Sequence, residues 1–330
     1  MMRKGAFALA AVLATFAVGC GTNSNPGDDD QSSNQDDVQL TQGGDATIAM
    51  VTHGDGGSFW AVAKKGAEDA AKAEGVELKY SESNNDAQSQ AQMIEAAVTE
   101  KVDGLAVSAP DPDAISSAVQ KAVDAGIPVI TLNSGADTFK DLGALTHVGQ
   151  TEEIAGQGAG QKFKEAGAQK ILCIIHEQSN LGLNQRCDGA KKGFGGDVET
   201  LQVKGTADVS TTLTEIQSKL QSDKSIDAVL ALNPDIAVAA RDAVKGASSE
   251  AKVATFDLSG DVVKSIQDGT IQFAVDQQQY LQGYLPVVFL ALNKRNLNTV
   301  GGGQPVLTGP GFVTKDNADT VAKLAEDGTR

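Results

Sequence analysis

Val102-Asp103-Gly104-Leu105-Ala106-Val107-Ser108-Ala109-Pro110-Asp111 is answered 124 residues later by Ile226-Asp227-Ala228-Val229-Leu230-Ala231-Leu232-Asn233-Pro234-Asp235. At the same offset Val129-Ile130-Thr131-Leu132-Asn133 returns as Val253-Ala254-Thr255-Phe256-Asp257. Ala63-Lys64-Lys65-Gly66 returns as Ala190-Lys191-Lys192-Gly193 at 127, a small length change in the intervening helix and turn. Chance matches would not hold one spacing, so the chain is read as two halves of similar topology.

Around these copies, apolar strand-like runs at 46–52, 76–80, 104–108 and 127–132 alternate with helical periodicity at 59–74, 87–101 and 115–125. Strands separated by 10–15-residue helices form βαβ units on a parallel sheet, and right-handed crossovers make each set doubly wound. The fold class is α/β, with two Rossmann-like lobes. In open α/β sheets ligands bind outside the carboxyl ends of the strands, so two facing lobes share one cleft. Asn133 and Asp257 are equivalent strand-end positions in the repeat, an amide and a carboxylate reaching into that cleft. The alternative for either is to cap the following helix.

The 330 residues suffice for two globular units, each with its own core. With 27 Lys and Arg against 43 Asp and Glu, the net charge of −16 argues against binding nucleic-acid phosphates. No apolar run approaches the roughly 20 residues of a membrane-spanning helix. Residues 1–19 read as an export signal: Arg3 and Lys4, then an apolar stretch over 6–18. Its end, Ala17-Val18-Gly19-Cys20, resembles the lipobox of bacterial lipoproteins, in which the cysteine is lipidated and becomes the N-terminus; Ala17 departs from the larger aliphatic residue usual there. An ordinary secretory signal is the alternative. Residues 20–45 are acidic and polar and read as a disordered tether. Cys173, mid-strand, and Cys187, at the start of the next helix, are an even pair in an exported chain. They read as a disulfide or as two buried thiols.

The runs Ala63–Ala71, Asp86-Ala87-Gln88-Ser89-Gln90, Val107–Ala114, Ala125–Thr131 and Gly269–Val275 are similar to the ribose-binding-protein class of periplasmic sugar receptors, in order over roughly 47–312. That resemblance, to type I periplasmic binding proteins, implies two lobes joined by three hinge strands with a monosaccharide or small polyol between them. It implies boundaries of 46–149 with 278–305 for the N-terminal lobe and 150–277 with 306–330 for the C-terminal lobe. It also implies a monomeric, lipid-anchored substrate-binding protein on the periplasmic or cell-surface side of the membrane, delivering to an ABC permease with a cytoplasmic ATPase and using no cofactor. A receptor reporting to a sensor kinase is the alternative. The lac-repressor class shares this body but begins with a DNA-binding helix-turn-helix, where this chain has a signal and an acidic tether.

Carried over residue by residue, the family's aromatic pair falls on Phe59 and Trp60, though its Asn and Pro are replaced by Gly57-Ser58. An aromatic ring covers the apolar face of a sugar. Asn133-Ser134 stands where ribose binders carry Asp-Arg, which points away from ribose toward another pentose, a hexose such as fructose, or a polyol such as inositol or xylitol. Asn184 takes the column of a sugar-contacting Arg and Arg186 lies two residues on; a surface pairing of Arg186 with Asp188 is the alternative. Asn233, Asp257 and Gln277 match, the carboxylate as acceptor of two hydroxyl protons. Val209 replaces a second aromatic, His176 ends a strand at the cleft, and Asp55 and Gln150 are lesser candidates.

Nothing in the chain points to an enzyme. Gly54-x-Gly56-Gly57 has Phe59 where a dinucleotide turn needs its third glycine. The three histidines lack metal-ligand spacing and there is no Cys-x-x-Cys. The glycines of Gly156-Gln157-Gly158-Ala159-Gly160 sit in a helical stretch and read as close helix packing. The expected mechanism is hinge closure, the ligand shifting the population toward a shut cleft.

Overall fold

A computed structural model describes residues 46–330; the export signal, Cys20 and the tether lie outside the described residues. Strands β1 (Thr47–Thr52), β2 (Glu77–Glu82), β3 (Gly104–Ser108), β4 (Val129–Asn133) and β5 (His147–Gly149) join β11 (Val306–Leu307) in one six-stranded sheet. Its order is β11-β5-β4-β3-β1-β2, parallel throughout. The second sheet is built from β6 (Lys170–Ile175), β7 (Asp197–Gln202), β8 (Ala228–Leu230), β9 (Lys252–Phe256), β10 (Phe273–Asp276) and β12 (Gly311–Thr314). It repeats the pattern as β12-β10-β9-β8-β6-β7. One departure from the all-parallel expectation is β12, an edge strand antiparallel to β10.

Helices cover both faces of each sheet, as parallel strands require. On the first, α1 (Ser58–Glu74) and α9 (Gln279–Asn296) pack over Ile48, Met50 and Leu132, while α2 (Ala87–Thr99) and α3 (Pro112–Asp124) pack over Ala49, Val51 and Val107. Alternate β1 residues thus feed opposite cores, the period-2 signature of a strand. On the second, α4 (Glu152–Glu165) and α5 (Leu181–Phe194) cover one face. The other is covered by α6 (Val209–Ser222), α7 (Pro234–Gly246), α8 (Gly260–Asp268) and α10 (Ala318–Glu326).

The repeated residues do the same work in each copy. Asp103 accepts the Thr47 N–H at 2.9 Å and Asp227 accepts the Gln169 and Lys170 N–H groups at 2.9 Å, each fastening the start of the strand next to a sheet edge. α3 begins at Pro112, earlier than its apolar periodicity, because Asp111 accepts from Ala114 and proline suits the first helical position. Cys173 and Cys187 form a disulfide; Cys187 lies midway along α5, not at its start.

Glycines let two helix pairs approach backbone to backbone. A Cβ on Gly193 would lie 1.9 Å from the Gln157 carbonyl oxygen of α4, and on its counterpart Gly66, 2.1 Å from the Tyr280 carbonyl of α9. Gly156 and Gly160, from the glycine run expected to allow close packing, meet the Arg186 and Ala190 carbonyls of α5 at 2.1 Å in the same construction. A side chain there must force the helices apart, so Gly193→Ala is expected to cost about 1–3 kcal/mol. A urea midpoint equal to wild type would show that the seam yields freely.

The chain crosses between the sheets at 150–151, 277–278 and 308–310. Val306 and Leu307 pair with Val148 and Gly149, so the third crossing begins after Leu307 and not at the expected boundary of 305. Thr308 joins all three: its N–H donates to Gly149 O at 2.7 Å and its hydroxyl to Gln277 O at 2.7 Å. Among the described residues no helix is long and apolar enough to cross a membrane.

Candidate functional site

The carboxyl ends of β1, β4, β6, β8, β9 and β10 converge on a cavity between the two sheets. The cavity is small, far below the usual volume of a drug-sized ligand site. Its wall includes Phe59, Trp60 and Asn133 from the first sheet's side and His176, Arg186, Asn233 and Asp257 from the second, with Gln277 at a crossing. These are eight of the positions expected from sequence. His53, Glu177, Asn180, Leu183 and Leu232 also line it and were not anticipated. The strand-end rule could have found two of them: His53 follows β1 as His176 follows β6, and Glu177 is the next residue on.

Asn133 and Asp257 hold the left-handed backbone conformation, φ 59° and 69°, which Asn and Asp tolerate better than most residues. Neither caps a helix; α8 is capped by Ser259. Asn133 Nδ2 donates to Gln282 Oε1 at 3.2 Å, and Gln282 donates onward to Gln277 Oε1 at 2.8 Å, tying the cavity wall to the crossings. Asp257 is 2% exposed and Oδ1 accepts from Gln277 Nε2 at 2.8 Å. Burial pushes its carboxyl up to about 7, against the pull of the Arg186 charge and the Gln277 bond.

Arg186 is buried and does not pair with Asp188. Its Nε and Nη2 grip Glu152 at 2.5 and 3.0 Å, Nη1 donates to Leu232 O at 3.2 Å, and the guanidinium lies 4.5 Å over the Phe256 ring. Of five N–H donors, this leaves one on each terminal nitrogen. Glu177 faces His53 at 3.6 Å and His176 at 3.7 Å and accepts from Asn180 Nδ2 at 2.6 Å. Burial raises the Glu177 pKa, but the His53 and Asn180 contacts outweigh it and hold the carboxyl well below its usual range. Burial lowers the His176 pKa and leaves Nδ1 with no partner. Trp60 stands edge-on to His53 (4.8 Å) and to Phe59 (5.0 Å), and the pair also packs into the first sheet's core. Asn233 lines the cavity while capping α7 through Asp235 N–H at 2.8 Å.

The remaining candidates stand off the cavity. Ser134 donates to Asn133 Oδ1 at 3.1 Å from behind it, and Asn184 Nδ2 donates to Asn180 O at 3.1 Å. Gln150, wholly buried at the first crossing, donates to Glu152 Oε2 at 3.0 Å and leaves Oε1 unpartnered. Asp55 sits at the cleft lip, bonded to Thr206 and to Gly57 N–H. Val209 is 38% exposed at the start of α6. Among the described residues no cluster of three His, Cys, Asp or Glu could hold a metal ion. What the cavity offers is a ring of neutral and charged hydrogen-bonding groups beside one aromatic face, suited to a small polyhydroxylated molecule.

Residues 48–294 match the family described as a periplasmic binding protein domain. The ribose import binding protein RbsB of Bacillus subtilis is 30% identical, covering 69% of this chain and 74% of its own. The xylose/arabinose-binding protein XylF of Sulfolobus acidocaldarius is 27% identical over 68% of this chain, which spans 60% of that protein. A carbohydrate transporter from Acidothermus cellulolyticus, solved in complex with myo-inositol, is 46% identical with a TM-score of 0.85, covering 87% of this chain and all of that one. These relatives are binding proteins and a carbohydrate transporter by name.

Proposed function

The chain belongs to the periplasmic binding protein family, and from that we propose that it is the substrate-binding component of an ABC importer, capturing a neutral cyclic polyol or monosaccharide. Export and lipidation at Cys20 would hold it at the cell membrane, from which it delivers ligand to a permease driven by a cytoplasmic ATPase.

The observation that carries the ligand class is the 46% identity to a transporter protein whose structure holds myo-inositol. The cavity's chemistry supports it. The Arg186 charge is already answered by Glu152, and Glu177 and Asp257 add acceptors, so an anionic sugar phosphate or sugar acid is disfavoured. Asn133, Asn180 and Asn233 supply amides that donate and accept around a hydroxyl rim. An inositol has a hydroxyl on every ring carbon and fits a site with polar groups on all sides.

A thermal-shift screen over myo-inositol, D-xylose, D-ribose, D-fructose and xylitol tests this. Ligand at about 100 times Kd stabilises by about 2.7 kcal/mol, a rise of roughly 4–5 °C for a chain of this size. Myo-inositol is expected to give the largest rise and D-ribose a small one. A melting temperature unmoved by every one of these compounds would rule the ligand class out.

A further inference from the structure

α1 begins without a cap of its own: Gly57 occupies the cap position and offers no side chain. By contrast α2, α3, α5, α6, α7 and α8 each take a side-chain cap from the residue that precedes them. The Ser58 N–H donates instead to Asp235 Oδ2 at 3.2 Å, a carboxylate from α7 on the second sheet. The first amides of a helix have no partner within it and form its positive end, so the cap comes from across the cleft. Space for it depends on Gly57, where a Cβ would lie 3.0 Å from Asp55 Oδ1 and 3.1 Å from Asp235 Oδ2.

The repeat shows a counterpart. The Leu181 N–H that opens α5 donates to Pro110 O of the other half at 3.1 Å, and Pro110 matches Pro234, the neighbour of Asp235. Both helices that bring side chains into the cavity are therefore held at their N-termini by the opposite half. α1 carries Phe59 and Trp60, and α5 carries Arg186.

We propose that Asp235 is a positioning residue for ligand capture, capping α1 from the opposite lobe only when the cleft is shut and so slowing release without touching the ligand. This rests on the closure reading above. Two variants isolate the bond. Ser58→Pro deletes the donor at the first helical position, where proline is favoured; Gly57, at φ −68° and ψ 173°, already has the conformation that precedes proline. The Ser58 hydroxyl is buried with no partner, so its loss breaks no other bond. Asp235→Asn removes the acceptor's charge and leaves the Asn233 cap of α7 in place.

Stopped-flow fluorescence of Trp60, the chain's single tryptophan, with myo-inositol as probe reads both rate constants. Each variant is expected to release ligand about five to ten times faster with association unchanged, tenfold being 1.4 kcal/mol, and the double variant to release no faster than either. Wild-type release in either single variant, or losses that multiply in the double, would overturn the cap. If wild type binds none of myo-inositol, D-xylose, D-ribose and D-fructose, the ligand class falls and the cap is judged on ligand-free protein locked shut by a disulfide between Asp55→Cys and Thr206→Cys, whose side chains bond across the cleft. There, faster hydrogen exchange at the Ser58 amide in Asp235→Asn supports it and an unchanged rate overturns it.

Discussion

Arg186→Met is expected to lower the unfolding free energy by about 3–5 kcal/mol and to abolish polyol binding. The cost follows from what the substitution leaves behind. Glu152 is 4% exposed and its two oxygens are gripped by the Arg186 fork at 2.5 and 3.0 Å. Removing one partner of a buried pair strands the other charge without water, and the penalty is that of the stranded charge. The double variant Arg186→Met with Glu152→Gln removes both charges and should regain most of the stability. It should not regain binding, because the two free guanidinium donors are gone. Urea melts and calorimetric titration with myo-inositol separate the two effects. If the double variant were as unstable as the single, the buried charge would not be the cause.

Asp257→Asn should make the ligand-free protein more stable at pH 8 and a poorer binder. Burial raises the Asp257 carboxyl to about 7, from an unfolded value near 3.8. The folded state therefore holds a proton that the unfolded state has given up between these values. The stabilisation is complete below about pH 4, declines as pH rises, and is gone once pH passes 7. Three units at 1.36 kcal/mol each make the decline about 4 kcal/mol. Asparagine is neutral at every pH and can still accept from Gln277, so its stability should match wild type near pH 4 and exceed it by up to that amount at pH 8. Affinity at pH 8 should fall at least tenfold, since a carboxylate accepting two hydroxyl protons is replaced by an amide. Parallel stability curves for the two proteins between pH 4 and 8 would remove the buried carboxyl from the account.

Much of this site is legible in the sequence because duplication turns a local match into a spatial one. Asn133 and Asp257 share an offset, and so share a strand end, a left-handed backbone and a cavity. The 127-residue repeat of Ala-Lys-Lys-Gly likewise marks the helix seams, each glycine meeting a carbonyl of the neighbouring helix. What escapes sequence reading depends on partners distant along the chain. The fate of Arg186 is decided by Glu152, 34 residues away, and not by the nearby Asp188. Glu177 gains its place from His53 on the other sheet. The end of the first sheet at Leu307 is set by pairing with β5, a contact that no local pattern announces.

Backbone-to-backbone seams have a mechanical corollary. With no side chain between them at Gly66, Gly193 and Gly283, the α1–α9 and α4–α5 pairs have no rotamers through which to creep. α4 emerges from the first crossing and α9 from the second, so torque arriving at either crossing meets a stiff block already fastened to a cavity helix. On the closure expected above, angular travel is expected to concentrate in a handful of peptide units at 150–151, 277–278 and 308–310, a pivot rather than a spring.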